Sequence, residues 1–214
     1  MASPAFRSAS SGGEATGTGI TLTAPSGIVN NDILLAFIYK ENTADAITYP
    51  SGFTEKTTVT QPATLFKCYL AWKRASSESG DYTFSWASDV WRAGLIMAIS
   101  GAITSGDPFD VAPSTNAPAL PSDSVVASGI TTQTVDTLLV AFAGIFSSFT
   151  WTPPSGMTER VDFNNVSAAT VAQAAIGASG DKTFTASGSD VYTTMLAAIA
   201  GFNVKKASSF LTFM

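Results

Sequence analysis

The sequence predicts an all-β protein, a jelly-roll-like β-sandwich built from two homologous halves, and three observations predict it. Short apolar runs alternate at period two and are separated by Gly, Pro, Asn and Asp turns, whereas no stretch beyond a few residues carries a 3.6-residue apolar period between helix caps. The chain also contains itself. Pro50-Ser51-Gly52-Phe53-Thr54-Glu55-Lys56 returns as Pro154-Ser155-Gly156-Met157-Thr158-Glu159-Arg160, and Asp32-Ile33-Leu34-Leu35 as Asp136-Thr137-Leu138-Leu139, both at an offset of 104 (154 − 50 and 136 − 32). Further on, Ser79-Gly80-Asp81 and Ile99-Ser100-Gly101 match Ser179-Gly180-Asp181 and Ile199-Ala200-Gly201 at an offset of 100 (179 − 79 and 199 − 99), so the second copy is about four residues shorter between these landmarks. Repeated runs of short strands make a sandwich the natural architecture.

Taken in order, residues 1–17 are Ser-, Gly- and Ala-rich and read as an N-terminal arm, because this composition cannot build a core of its own. The β-sandwich is placed at 18–204: half one at 18–101, a connector at 102–124 and half two at 125–204. A strand at Gly19–Ala24 is followed by the turn Pro25-Ser26-Gly27. Ile33 to Lys40 is apolar on both faces. Because Leu138, Val140 and Phe142 stay apolar at the repeat positions of Leu34, Ala36 and Ile38, this set is assigned to the sandwich interior, and Ile33, Leu35, Phe37 and Tyr39 to contact with the other half or another subunit. Thr48-Tyr49-Pro50 and Thr152-Pro153-Pro154 end strands or lie on edges, since proline donates nothing to a ladder. Phe53 to Thr60, Thr64 to Lys73, Tyr82 to Trp86 and Trp91 to Ser100 complete the first half, the last with Trp91, Ala93, Leu95, Met97 and Ile99 on one face. The connector carries Pro108, Pro113, Pro118 and Pro121 and is expected to lie across the surface, pinned by Phe109 and Val111. Residues 205–214 lie beyond the repeat and form an apolar C-terminal tail.

Composition excludes several functions. There is no histidine, which removes the commonest general base and the commonest metal ligand together. A net charge of −5 gives no footprint for nucleic acid. Only 13% of residues are charged, about half the usual quarter, so solubility rests on Ser, Thr and Asn. No apolar run approaches the roughly 20 residues of a membrane span, and the N-terminus shows no apolar signal-peptide core. The single cysteine, Cys68, sits in an alternating apolar run and reads as a buried, inert thiol.

The repeated acids are the constellation to weigh as catalysts: Asp32 with Asp136, Glu55 with Glu159, Asp81 with Asp181, and Asp89 with Asp190. Two carboxylates about 5 to 10 Å apart would suit a glycoside hydrolase. Each Asp except Asp136, however, adjoins Gly, Asn or Ser at a turn, where its side chain serves nearby backbone donors. The expectation is therefore no catalytic residue, no cofactor and no metal, although Asn30-Asn31-Asp32 and Asp162-Phe163-Asn164-Asn165 carry enough oxygen to be compared with calcium loops. Tyr49 and Trp151 are candidates for a sugar-binding platform, with capping of the sandwich end as the structural alternative. Phe6 and Arg7 of the arm, and Phe210, Leu211, Phe213 and Met214 of the tail, are candidate partner contacts, since an apolar terminal segment can add to a neighbour.

Phe6-Arg7-Ser8-Ala9-Ser10-Ser11, Ala24-Pro25-Ser26-Gly27 leading to Asp32-Ile33-Leu34-Leu35, Tyr49-Pro50-Ser51-Gly52-Phe53, Asp81-Tyr82-Thr83-Phe84-Ser85-Trp86 and Trp151-Thr152-Pro153-Pro154-Ser155-Gly156 together resemble a family of duplicated jelly-roll-like proteins found mostly among tailed-phage virions. The resemblance covers nearly the whole chain except the tail, and its motifs are turns and strand starts, so no catalytic residue comes with it. It implies a non-enzymatic virion structural protein, made in the host cytoplasm and carried on the particle. Capsid decoration (cement) is the role it favours. The major capsid protein and copies of this chain, as a homo-oligomer such as a trimer, would be its partners, with neither nucleic acid nor membrane among them. A tail- or fibre-associated carbohydrate- or receptor-binding module is the alternative.

Overall fold

The structure, a computed structural model, describes residues 3–41 and 44–202. Strands β1 (Ala5–Leu22), β2 (Ile33–Glu41), β3 (Thr54–Thr60), β4 (Phe66–Arg74) and β5 (Tyr82–Ser100) form one antiparallel sheet in the order β1-β5-β2-β4-β3. The rest of the chain supplies β6 (Ser114–Asn116), β7 (Ser122–Ala127), β8 (Thr131–Thr132), β9 (Thr137–Ile145), β10 (Trp151–Thr152), β11 (Thr158–Phe163), β12 (Val166–Gln173), β13 (Gly177–Ala178), β14 (Lys182–Asp190) and β15 (Tyr192–Ile199). Of these, β11-β12-β9-β15-β6 form a second five-stranded sheet, β10-β14-β7 a three-stranded sheet, and β13-β8 a two-stranded one. The protein is all-β and sandwich-like.

The central strands β2 and β9 set the layering, because a strand apolar on both faces needs cover on both. Ile33, Leu35, Phe37 and Tyr39 of β2 meet Leu138, Val140 and Phe142 of β9 in a core between the two five-stranded sheets. There Phe37 and Phe142 stack with ring centroids 5.1 Å apart. Leu34, Ala36 and Ile38 face the other way and are covered by Ile20, Leu22, Phe53, Tyr82, Phe84 and Trp86. Leu139, Ala141, Ala143 and Ile145 are covered likewise by Val125, Ala127, Trp151, Met157 and Phe184. The result is four β layers enclosing three cores. In the first half the outer layer is made by β1 and β5 themselves. Register shifts at Gly13/Ala15 and Gly17/Gly19 bend the paired ribbon, and its Gly19–Leu22 end folds back over the sheet.

Three expectations are corrected. Residues 1–17 are not an arm: from Ala5 they belong to β1, which pairs with β5 along almost its whole length. Small side chains cannot make a core, but strand pairing is a main-chain interaction and β5 supplies the apolar cover. The connector 102–124 does not merely cross the surface. Phe109 bridges Ile199 and is buried in the central core, Ser114–Asn116 forms the edge strand β6, and β7 begins at Ser122. The face assignment also changes. Ile33 lies opposite Ile99, while Leu138, not Thr137, lies opposite Ile199. Positions along β2 and β9 therefore correspond at 105 (138 − 33), and the left-handed turn residues Asn31 and Asp136 (φ 73° and 54°) obey the same spacing. A one-residue slip exchanges the faces of a strand. Hence Leu34, Ala36 and Ile38 line an outer core, and Leu138, Val140 and Phe142 the central one.

Candidate partner-binding face

The start of β1 and the end of β15 lie together. Ala5 pairs with Ser100, Ala102 bridges Gly201, and the Phe202 amide donates to the Gly101 carbonyl at 3.3 Å. Beside them Arg7 holds Asp32 in a two-pronged ion pair, Nε donating to Oδ2 at 2.6 Å and Nη2 to Oδ1 at 3.1 Å, while the Val29 amide also donates to Oδ2 at 3.0 Å. The Asp32 side chain is 3% exposed and the Arg7 side chain 31%. A buried carboxylate is tolerable only with such partners, so the pair fastens β1 to the turn before β2. These groups floor a cleft of about 310 Å³ whose rim carries two exposed apolar side chains, Val29 and Phe202. The cleft can seat an apolar side chain from a partner, and its one ion pair is already satisfied.

A second cleft, about 290 Å³, opens where β1 meets the other sheet, between Pro4, Ala5 and Phe6 on one side and Leu138, Thr158, Arg160 and Thr170 on the other. The Arg160 guanidinium sits 4.3 Å above the Phe6 ring and donates through Nε to Thr170 Oγ1 at 2.8 Å. A reciprocal contact closes the opposite side of the central core: the Lys56 ammonium lies 4.5 Å above the Phe109 ring and 2.5 Å from Asp107. Lys56 and Arg160 occupy the same bulge on β3 and β11, between Glu55 and Thr57 and between Glu159 and Val161. The bulge turns each cation across the interface toward an aromatic ring of the other sheet.

Of the predicted partner contacts, Phe6 and Arg7 are thus brought together at this face, but as part of the fold. Phe6 is half-buried against the central core and Arg7 is committed to Asp32, so neither belongs to a free arm. Phe210, Leu211, Phe213 and Met214, with the rest of the tail 205–214, lie outside the described residues. The sugar-platform candidates are separated by their surroundings. Trp151 is buried, its indole N–H donating to the Asn164 carbonyl at 2.8 Å and its ring set edge-on to Phe184. It therefore caps a core and offers no ring face to a sugar. Tyr49 is half-buried, edge-on to Phe84, and its hydroxyl donates to Glu55 at 2.5 Å; burial and the Glu55 carboxylate together hold its ionisation far above the ordinary range.

Three of the repeated acids, Asp81, Asp181 and Asp190, serve turns. Asp81 accepts from the Ala24 amide and Asp181 from the Gly129 amide, at 3.1 and 2.8 Å. Asp190 accepts from Ser147 Oγ and the Val191 amide, at 2.5 and 2.7 Å. In the oxygen-rich turns, Asn30 Oδ1 accepts from the Ser77 amide, Asp162 from the Trp151 amide, and the buried Asn165 donates to the Ile145 and Phe146 carbonyls. Among the described residues no group of three or more Cys, Asp or Glu side chains is gathered as metal ligands would be. Cys68 is buried, and burial pushes its thiol up to about 12, with Thr193 opposing. Compared with protein-family models, with curated proteins and with solved structures, the chain finds no match.

Sequence reasoning missed Val29, Phe202 and the Arg7–Asp32 pair as one face. No local signal announces them, because they come from positions 7, 29–32 and 202 and meet only through the β1–β5 and β2–β5 ladders and the Ala102–Gly201 bridge.

Proposed function

We propose that this chain is a non-enzymatic structural protein of a phage virion, a capsid decoration protein that binds the head surface. The observation that carries the reading is the terminal face. A four-layer body presents, at one edge, the start of β1, an apolar-rimmed cleft and Phe202, from which the sequence continues into the apolar tail 205–214. Decoration proteins work by adding interface area to an assembled shell, and a face that gathers the start of β1 with the exposed Val29 and Phe202 suits bridging between capsid subunits. Carboxylates engaged by turn amides and a neutral buried thiol agree with a binding role. The resemblance to duplicated virion proteins points the same way.

The finer fold assignment belongs to the same proposal. We read the two five-stranded sheets as copies of one ancestral jelly-roll-like unit. In support, β1-β5-β2-β4-β3 and β6-β15-β9-β12-β11 run in the same chain order, both third strands carry a bulge at the same place, and Phe37 stacks on its counterpart Phe142 across a pseudo-two-fold axis.

The deciding experiment counts this chain against the major capsid protein, by mass spectrometry of purified particles from a phage whose genome encodes it. Hundreds of copies per particle, on the order of a capsid lattice, are expected. A handful would move the protein to the tail and favour the receptor-binding alternative, and absence from the particle would overturn the virion reading.

A further inference from the structure

Two seams join the five-stranded sheets, one where β1 faces β11 and one where β3 faces β6, and the repeat makes them comparable residue by residue. Phe6 lies opposite Ile99 and Phe109 opposite Ile199, so the two rings hold equivalent places. Each ring carries a cation from the matching bulge of the other sheet, Arg160 above Phe6 and Lys56 above Phe109. The seams differ in one group. Two residues before Phe109 stands Asp107, which accepts from Lys56 Nζ at 2.5 Å and from the Phe109 amide at 3.1 Å. Two residues before Phe6 stands Pro4, which has no charge to offer.

Arg160 is thus a cation without the carboxylate that its counterpart has. Among the described residues no Asp or Glu forms an ion pair with it. Its side chain donates there only through Nε, to Thr170 Oγ1, which leaves both Nη groups unengaged. The segments outside the described residues, 1–2, 42–43 and 203–214, contain no Asp or Glu, so no further side-chain carboxylate of this chain is left to serve it. Burial lowers the Arg160 guanidinium from its ordinary value, which is the mark of a charge drawn part-way out of water without an opposite charge to offset the loss.

The guanidinium can also be reached. It is partly exposed and borders the open cleft of about 290 Å³ between β1 and β11. Pro4, Phe6, Leu138 and Val171 give that cleft apolar walls, and no acidic side chain lines it. Thr170 on one side and the Phe6 ring on the other hold the guanidinium in place before any ligand arrives, so little side-chain freedom remains to be lost on binding.

We propose that the cleft between β1 and β11 is a docking site for an acidic side chain, aspartate or glutamate, of a partner polypeptide, its carboxylate pairing with the Nη groups of Arg160 and its methylene stem lying against the apolar walls. The kind of occupant follows from the other seam, where the same fold meets the equivalent cation with an aspartate of its own. A two-pronged arginine–carboxylate contact supplies both the attraction and the geometry. The inference stands apart from the virion reading and survives its failure.

The test is a titration of the isotope-labelled full-length protein with the capped peptides acetyl-Gly-Asp-Gly-amide and acetyl-Gly-Glu-Gly-amide at constant ionic strength, followed by nuclear magnetic resonance at the backbone amides of Phe6, Arg160 and Thr170. The same peptides with Asn or Gln in place of the acid, and acetate, are the comparisons. Saturable binding of an acidic peptide is expected, with a dissociation constant on the order of millimolar. Arg160→Gln should weaken it about tenfold or more, as loss of a charge-assisted pair requires. Pro4→Asp, which places a carboxylate where Asp107 stands in the other seam, is expected to abolish peptide binding by engaging the guanidinium from within. Near-ultraviolet circular dichroism checks that both variants fold, and the acid-against-amide comparison in the unaltered protein decides the matter even where a variant does not. Acetate binding as tightly as the peptides would identify a free small acid in place of a polypeptide and overturn the proposal. So would equal binding of the amide peptides, the lack of any saturable shift at the cleft, or affinity unchanged in both variants.

Discussion

Gly144 and Cys68 show how tightly the central core fits. A Cβ on Gly144 would stand 2.7 Å from Cys68 Sγ and 3.6 Å from the Tyr39 ring. Glycine at this point of β9 thus makes room for two larger side chains from the opposing sheet. Gly144→Ala is expected to destabilise the protein by about 1–3 kcal/mol through overpacking. Adding Cys68→Ala should recover part of that loss, a non-additivity of about 0.5 kcal/mol or more, read from urea midpoints of the single and double variants. Simple additivity would mean that the two residues do not compete for the same space. Cys68 was legible as an inert thiol because its own strand alternates. Gly144 was not, since its reason lies in a strand 76 residues away (144 − 68). Arg7 is the same kind of case. Its neighbours in sequence are small and polar, and nothing near it indicates Asp32, which it meets only when β1 lies beside β5.

The turn between β4 and β5 is fastened by Glu78. Burial alone would raise its carboxyl. Lys73 Nζ at 2.8 Å, the Ser76 amide at 2.9 Å and the Tyr82 hydroxyl at 2.7 Å outweigh burial and hold it below the usual range. A carboxyl depressed in the folded state contributes stability that is fully present above its unfolded value, about 4.3, and is lost as the pH falls through the folded value. Glu41 and Glu159 are raised instead, both by burial and Glu159 also by Asp162, so acidification relieves them and works in the opposite sense. Glu78→Gln is therefore expected to lower stability by about 1–3 kcal/mol at neutral pH. The gap to the wild type should narrow below about pH 4.3. Melting temperatures across that range give the answer, and a gap independent of pH would show that the carboxylate charge contributes nothing. At this scale the strands from Ile33 to Ser100 were legible by period and turn residues, apart from the continuity of β5, which was read as two. The part of the N-terminal strand before Gly19 was missed because the apolar residues that define its place belong to its partner.

The central core joins the two sheets into one cooperative body. Phe37 and Phe142 each reach it from a different sheet, and Phe→Ala at either position should cost about 3–5 kcal/mol. Because both sheets lose cover when that core opens, heat unfolding is expected as a single transition with equal calorimetric and van't Hoff enthalpies. Two separate transitions would show that the halves are independent sandwiches. The sequence by itself determined that this protein is all-β, that its motifs repeat, that histidine is absent and that its one cysteine lies in a buried strand. These follow from residue type and from spacings within a few residues, which local sterics and hydrogen bonding read directly. Only the tertiary structure decided that residues 5–17 enter a strand, that the two sheets share a core, and that the spacing on the central strands is 105 rather than 104. Facing depends on ladder register, and a slip of one residue leaves the apolar pattern of a doubly buried strand almost unchanged while exchanging everything it touches.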